Sequence, residues 1–120
     1  MARNRNAEQG KRGERDACQM LTDLIGLEIK RLKTEGRHDD IGDLSGLTGF
    51  TVQVATSVNH GLVLRHKVEE CRLQQANAGT PFGVTLLCIR QTGGRPPLWR
   101  FVLTPEQFAE VYFALDHDGL

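Results

Sequence analysis

Two acidic residues that lie far apart in the chain occupy positions where a carboxylate could take part in chemistry. Glu14 lies one turn before Ala17, at the edge of the apolar stripe of a predicted amphipathic helix. A carboxylate there is costly unless a cation or a metal ion compensates its charge. Asp43 follows Gly42 at the mouth of a predicted strand, where its side chain could point into a cleft. The simpler alternative for Glu14 is a solvated salt-bridge cluster with the cations around it, Lys11, Arg12 and Arg15.

The strand that follows Asp43 carries the other candidate residues. Phe50, Val52 and Val54 alternate along it and therefore share one face. Gln53 and Ala55 project from the opposite face. Antiparallel pairing of the two strands would bring Asp43 close to Gln53, so we expect these side chains to share one site.

The framework that would hold these residues is predicted in the order α-β-β-β-α-β-β-α. The first helix runs from a capping box at Asn6–Gln9 to Gly26, the second from about Gly61 to Ala78, and the third starts at a Thr104–Gln107 capping box. Strands are predicted at residues 27–32, 41–46, 50–56, 82–89 and 98–103, the last two as a hairpin. The apolar stripes of the three helices are predicted at Ala17, Met20, Leu21, Leu24 and Ile25, at Leu64, Val68 and Cys71, and at Phe108, Val111, Tyr112 and Leu115. The pattern favours a single α/β (α+β) domain over residues 1–120, with a mixed sheet flanked by helices.

Three short motifs, in this order and on these elements, resemble the PD-(D/E)XK nuclease superfamily. They are G-x-x-x-E-R-D at Gly10–Asp16, G-D-L at Gly42–Leu44, and the strand segment Val52-Gln53-Val54-Ala55. The chain is most similar to small Holliday junction resolvases and to resolvase-like phage and actinobacterial proteins, over residues 8–103. The resemblance implies a restriction-endonuclease-like core that acts in DNA recombination, by Mg²⁺-dependent hydrolysis of a phosphodiester in branched or duplex DNA.

The resemblance also implies a role for each candidate residue. Glu14 and Asp43 match the two acids that bind Mg²⁺. Gln53 stands where the family's E-x-K motif has a third metal-binding Glu, and Ala55 stands where it has the Lys that orients the attacking water. Gln53 keeps a carbonyl oxygen without charge and Ala55 offers no polar group. Loss of one such preorganised contact costs about 100-fold in rate or more.

A cation on the second helix could replace the missing Lys. Related nucleases relocate this Lys to that helix, and Lys67 lies near its start, as does Arg65. The alternative is that Lys67 belongs to a solvated helix face. Gln75, rather than Gln74, matches by position a helix Gln that assists the site in related nucleases, and an exposed amide is the alternative.

Three functions are open at this point. The chain is an active nuclease, or a pseudo-nuclease that binds DNA without cutting it, or a protein-interaction domain such as a phage-encoded inhibitor. Gln53 and Ala55 also match the replacements by which a nuclease is inactivated in the laboratory. Phosphate contacts are expected from the basic N-terminal region, whose residues 1–7 we predict as a flexible arm, through Arg3, Arg5, Lys11, Arg12 and Arg15. The resemblance implies a homodimer, to which Leu98, Val102, Phe108 and Phe113 could contribute.

Composition excludes several other classes of protein. The chain has 120 residues, with 15 basic and 15 acidic ones, which is not the balance of a highly basic nucleic-acid binder. No apolar run is long enough to span a bilayer, and the polar N-terminus does not resemble a signal peptide. Three widely spaced cysteines favour buried free thiols and a cytoplasmic location over disulfides or a zinc site.

Overall fold

The computed structural model describes residues 5–33, 40–56 and 58–115, with side chains from residue 8 onward. The predicted flexible arm therefore lies largely outside the described residues, although the first helix already begins at Arg5. Within the described ranges no helix combines the length and the apolar character needed to cross a membrane.

Within the described ranges, three helices and five strands follow each other in the predicted order. The first helix, α1, spans Arg5–Ile25, and the strands are β1 Lys30–Arg31, β2 Leu44–Ser45, β3 Phe50–Ala55, β4 Phe82–Ile89 and β5 Leu98–Val102. The second helix, α2, is continuous and consists of His60–Leu62, a π-helical segment Val63–Lys67 and Val68–Ala78. The last helix, α3, spans Pro105–Ala114. The chain is thus an α+β protein with one mixed sheet.

The sheet order follows the chain, β1-β2-β3-β4-β5. All neighbouring strands are antiparallel except β3 and β4, which run parallel with Gln53 beside Thr85 and Ala55 beside Leu87. Parallel neighbours need a crossover connection, and α2 provides it. Strands β1 and β2 are shorter than predicted, because only two residues of each make ladder pairs.

The two faces of the central strands are buried by different helices. Ala17 and Leu21 of α1 are fully buried against Val52, Val84 and Leu86. On the opposite face Ala55 and Leu87 pack against Val63 of α2. The predicted alternation along β3 is confirmed, and burial on both faces explains why β4 is apolar over nearly its whole length.

Parts of the predicted helix stripes are wrong. Leu24 is 76% exposed and Phe108 is 61% exposed, and Ile25, Leu64, Tyr112 and Leu115 are also exposed. On α2 the π-helical segment adds a residue to one turn, so Val63 and Val68 face the sheet and Leu64 turns outward. On α3 the buried side chain is Gln107, which belongs to the capping box that was predicted. Asn6 does not cap α1, because the helix already includes Arg5.

Candidate functional site

Three hydrogen bonds fix Asp43, which directly precedes β2 and lies beside β3. Its amide donates to the Val52 carbonyl (2.8 Å) and its carbonyl accepts from the Leu32 amide (2.8 Å). Its carboxylate oxygen Oδ2 accepts from the Val54 amide (2.8 Å). The side chain is therefore held beside β3, next to Gln53, as the predicted antiparallel pairing requires.

Burial raises the pKa of Asp43 to about 6, against the Val54 hydrogen bond, which lowers it. The negative charges of Glu14 and Asp40 raise it further, and the positive charge of Lys67 lowers it. Glu14, Asp43 and Lys67, which are far apart in the sequence, are thus close enough to interact electrostatically. An acid with such a perturbed pKa, in the midst of other charges, is a common mark of a functional site.

Glu14 is compensated by a cation that the sequence did not indicate. Arg31 on β1 donates from Nε to Glu14 Oε1 at 3.0 Å, and the Glu14 side chain is only 21% exposed. Arg31 is the residue before Leu32, whose amide bonds Asp43, so the same strand edge carries both groups. In the sequence, only the alternation of apolar and charged residues along the predicted first strand could have pointed to Arg31 as a partner of Glu14.

Gln53 is buried under α2 and is 4% exposed. Its Nε2 donates to Glu70 Oε2 at 3.3 Å, and the same oxygen accepts from Lys67 Nζ at 3.3 Å. The Gln53 Oε1 atom is buried without a hydrogen-bond partner. The resemblance leads one to expect a glutamate and a lysine on β3. A glutamate and a lysine, Glu70 and Lys67, instead lie one helical turn apart on α2. The sequence did not indicate Glu70.

Ala55 contributes no polar group to this site. It is 3% exposed and packs in an apolar cluster with Val63 and Leu87. Six polar residues are connected by the contacts above: Glu14, Arg31, Asp43, Gln53, Lys67 and Glu70. We call them the acid–cation cluster.

The two glutamines at the end of α2 are both buried, and their contacts differ. Gln74 donates to Asp40 Oδ2 at 2.7 Å, next to the acid–cation cluster. Gln75 donates instead to the Pro81 carbonyl (3.0 Å) and to Glu110 on α3 (3.1 Å). The structure thus turns Gln75, the glutamine matched by resemblance, toward α3, and Gln74 is the glutamine that approaches Asp40.

The predicted phosphate contacts lie partly on α1. Lys11, Arg12 and Arg15 are exposed there, with Arg12 at 4.0 Å from Asp16. Arg3 and the side chain of Arg5 lie outside the described residues. Of the four histidines, His38 and His117 also lie outside them.

The cysteines are free in the described chain, as predicted, with Cys71 and Cys88 buried and Cys18 only half-buried. Burial raises the thiol pKa of all three. None is therefore activated as a nucleophile.

The donor set suits a hard cation only in part. Among the described residues no group of three or more His, Cys, Asp and Glu side chains could hold a metal ion. Mg²⁺, however, commonly binds one or two carboxylates and takes its other oxygens from water and phosphate. Glu14 and Asp43 provide two carboxylates of this kind, and Gln53 Oε1 is a carbonyl oxygen without a hydrogen-bond partner.

Comparisons with known proteins add no family to this description. No protein-family model, curated protein or solved structure matches the chain.

Proposed function

We propose that this chain is a resolvase-like nuclease domain of the PD-(D/E)XK type that binds branched or duplex DNA at the acid–cation cluster. The observation that carries the proposal is the buried Asp43 carboxyl, which burial and Glu14 keep at a pKa of about 6. Such a group costs folding stability when it is ionised, and a bound cation would compensate that cost.

Five residues of the acid–cation cluster have distinct tasks in this proposal. Glu14 and Asp43 would hold Mg²⁺, with the Gln53 carbonyl as a weak third ligand. The ion, when bound, would activate water and neutralise charge on the phosphate. Arg31 and Lys67 give the cluster its positive charge, which orients the phosphate and balances the acids. The Val54 amide fixes the Asp43 carboxylate, so that it needs little reorganisation when DNA binds.

A DNA-binding form that does not cut is the second candidate. Two observations favour it: Ala55 lies in an apolar cluster where the family's Lys would stand, and Glu14 is already paired with Arg31. In this form the same cluster recognises DNA shape and phosphate, and hydrolysis is slow or absent.

The first experiment measures binding and cleavage of a labelled four-way junction and of the matching duplex. We expect retention of DNA at low salt that weakens as salt rises, because cation–phosphate contacts release counterions. Cleavage in Mg²⁺ or Mn²⁺ identifies the nuclease, and binding without cleavage identifies the second candidate. A chain that retains neither DNA at low salt is a protein-interaction domain instead, and the proposal is wrong.

The second experiment restores the missing carboxylate without placing two acids together. Gln53→Glu alone would set a carboxylate against Glu70, whereas Gln53→Glu with Glu70→Gln exchanges donor and acceptor and keeps the hydrogen bond. We expect the double variant to raise cleavage by about 100-fold over the starting chain. Glu70→Gln alone is the control and should not raise it. Ala55→Lys is a poorer first choice, because overpacking this apolar cluster costs about 1–3 kcal/mol.

A further inference from the structure

A cleft lies on the other side of α1, away from the acid–cation cluster. It has a volume of about 950 Å³ and is formed by α1 and by the turn between β4 and β5. Its lining includes Arg12, Arg90, Arg95 and Trp99, together with Asp16 and Asp23. We call this space the hairpin cleft.

The two sites lie on opposite sides of α1, beside different strands of the sheet. Glu14 pairs with Arg31 on β1, at one edge of the sheet. Asp16, two positions later on α1, pairs with Arg90 at 3.1 Å, just after β4. Two strands, β2 and β3, lie between β1 and β4. A ligand in the hairpin cleft therefore contacts a different surface from a ligand in the acid–cation cluster.

The cations of the hairpin cleft are held in place by short contacts. Asp16 accepts from Arg90 at 3.1 Å and lies 4.0 Å from Arg12, so one carboxylate orients two guanidinium groups. Arg95 donates from Nε to the Thr92 carbonyl within the turn (3.2 Å). The Gln91 side chain closes this turn by a 2.7 Å bond to the Pro96 carbonyl. Gln19 donates from Nε2 to Asp23 Oδ1 at 2.8 Å. Three guanidinium groups thus face two carboxylates, which leaves the lining positive.

Trp99 gives the hairpin cleft an aromatic wall. It is half-buried and packs against the core under α1, which limits its motion. An indole that is fixed on one side and reachable on the other is a suitable surface for an unpaired nucleobase. Stacking on such a side chain tolerates any base, and guanidinium groups beside it bind the phosphates.

We propose that the hairpin cleft binds a single-stranded DNA segment, with a base on Trp99 and phosphates on Arg95 and Arg12. This inference rests on the proposed DNA-binding function and adds a separate contact surface to it. Bases of a continuous duplex are stacked on each other and do not offer a face to Trp99. The cleft therefore favours the unpaired strand over the duplex.

The test uses the fact that Trp99 is the only tryptophan of the chain. An oligodeoxythymidine of about 12 nucleotides, within the usual site sizes of single-strand binding, is titrated into the full chain. Binding is followed by the fluorescence anisotropy of a labelled copy, and occupancy of the hairpin cleft by quenching of Trp99 emission with an unlabelled copy. We expect both signals to saturate at the same concentration.

Two arginines of the same region provide a matched pair of variants. Arg95→Ala should weaken binding by about 10-fold, whereas Arg100→Ala should leave it unchanged. Arg100 is next to Trp99 on β5, is exposed, and is not part of the cleft lining. Trp99→Leu, which keeps an apolar side chain against the core, should also weaken binding by about 10-fold. Circular dichroism checks that the variants are folded.

The two proposals fail in different ways. An anisotropy rise without quenching of Trp99, or equal effects of Arg95→Ala and Arg100→Ala, would overturn the hairpin cleft as the binding site and leave DNA binding intact. Absence of any anisotropy change with the single strand, while the four-way junction is still retained, would also overturn it. Absence of binding to both DNAs would remove the proposed function as well.

Discussion

Asp43 combines features that a purely structural residue would not need. Its carboxyl is largely buried, accepts one backbone hydrogen bond and lies within the electrostatic reach of two other acids. The folded state therefore favours the protonated Asp43 carboxyl. Keeping this carboxyl ionised, as a metal site requires, costs folding stability. Selection for stability alone would have replaced this acid, which is why we place it at the centre of the proposed site.

The pH dependence of stability tests this assignment. The folded-state pKa of Asp43 is raised from 3.8 to about 6. The contribution of Asp43 to stability is thus fully present below about pH 3.8 and is lost as the pH rises through about 6. Asp43→Asn removes this titration, and Asn can still accept from the Val54 amide. We expect the variant to be more stable than the original chain at pH 7, by at most about 3 kcal/mol, with the difference shrinking toward pH 4.

Urea unfolding of both chains across this pH range provides the measurement. The same pair of chains also tests metal binding: Mg²⁺ or Mn²⁺ should raise the melting temperature of the original chain and leave Asp43→Asn unchanged. A variant that is less stable than the original chain at pH 7 would show that the Asp43 carboxylate supports the fold.

At the scale of elements, the approach of α1 to β3 determines where Glu14 lies. Gly13 precedes Glu14 and is buried, and a Cβ atom added there would overlap Thr56 Cγ2. Gly10, one turn earlier, has no atom within 4 Å of an added Cβ. Both glycines belong to the first motif region, but only Gly13 is required for close packing.

This difference predicts opposite effects of two similar substitutions. Gly10→Ala should stabilise the chain by about 0.5–1 kcal/mol, because alanine favours the helix and its side chain meets open space. Gly13→Ala should destabilise it by about 1–3 kcal/mol, because α1 is pushed away from β3. Denaturant midpoints of the two variants measure the effect. Adding Thr56→Ser, which removes Cγ2, should recover part of the loss in Gly13→Ala, and a failure to recover would contradict this packing argument.

At the scale of the whole molecule, one end of the protein is unusually apolar. Phe108 and Phe113 on α3 are 61% and 76% exposed, and Ile25 of α1 is 44% exposed. A cavity of about 350 Å³ beside them is lined only by apolar residues, among them Ile25, Phe50 and Phe101. Apolar surfaces of this kind mark interaction sites. They are also consistent with the homodimer that the resemblance implies, through Phe108 and Phe113. Val102, in contrast, packs against Ala55, Val63 and Leu87.

We therefore expect the chain to dimerise through α3. Light scattering coupled to size exclusion should give twice the chain mass of 13.4 kDa. Phe113→Glu should shift the mass to that of the monomer, because a charge on this surface cannot be buried without a partner. Leu73→Glu is the matched control, since Leu73 is 69% exposed on α2 and should not affect the mass. If the original chain is a monomer, the apolar surface does not mediate dimerisation, and its partner is a different protein.

The order of the elements, and the local signals that begin and end them, could be predicted from the amino-acid sequence. The β4 strand, the Thr104 capping box and the helix end at Gly79 depend on neighbouring residues, and all three have the predicted form. The alternation along β3 likewise assigned Gln53 and Ala55 to one face. These features are encoded by short-range periodicity and by turn chemistry, which a single sequence displays directly.

Which side chains meet across the fold could not be predicted from the sequence and follows from the packing of distant elements. The pairing of Arg31 with Glu14, and of Glu70 with Gln53, joins elements that have no sequence pattern in common. Burial of Gln107 in place of Phe108, and the outward turn of Leu64, followed from how α3 and the π-helical turn meet the sheet. Long-range packing sets these contacts, because each depends on the position of a partner that lies elsewhere in the chain.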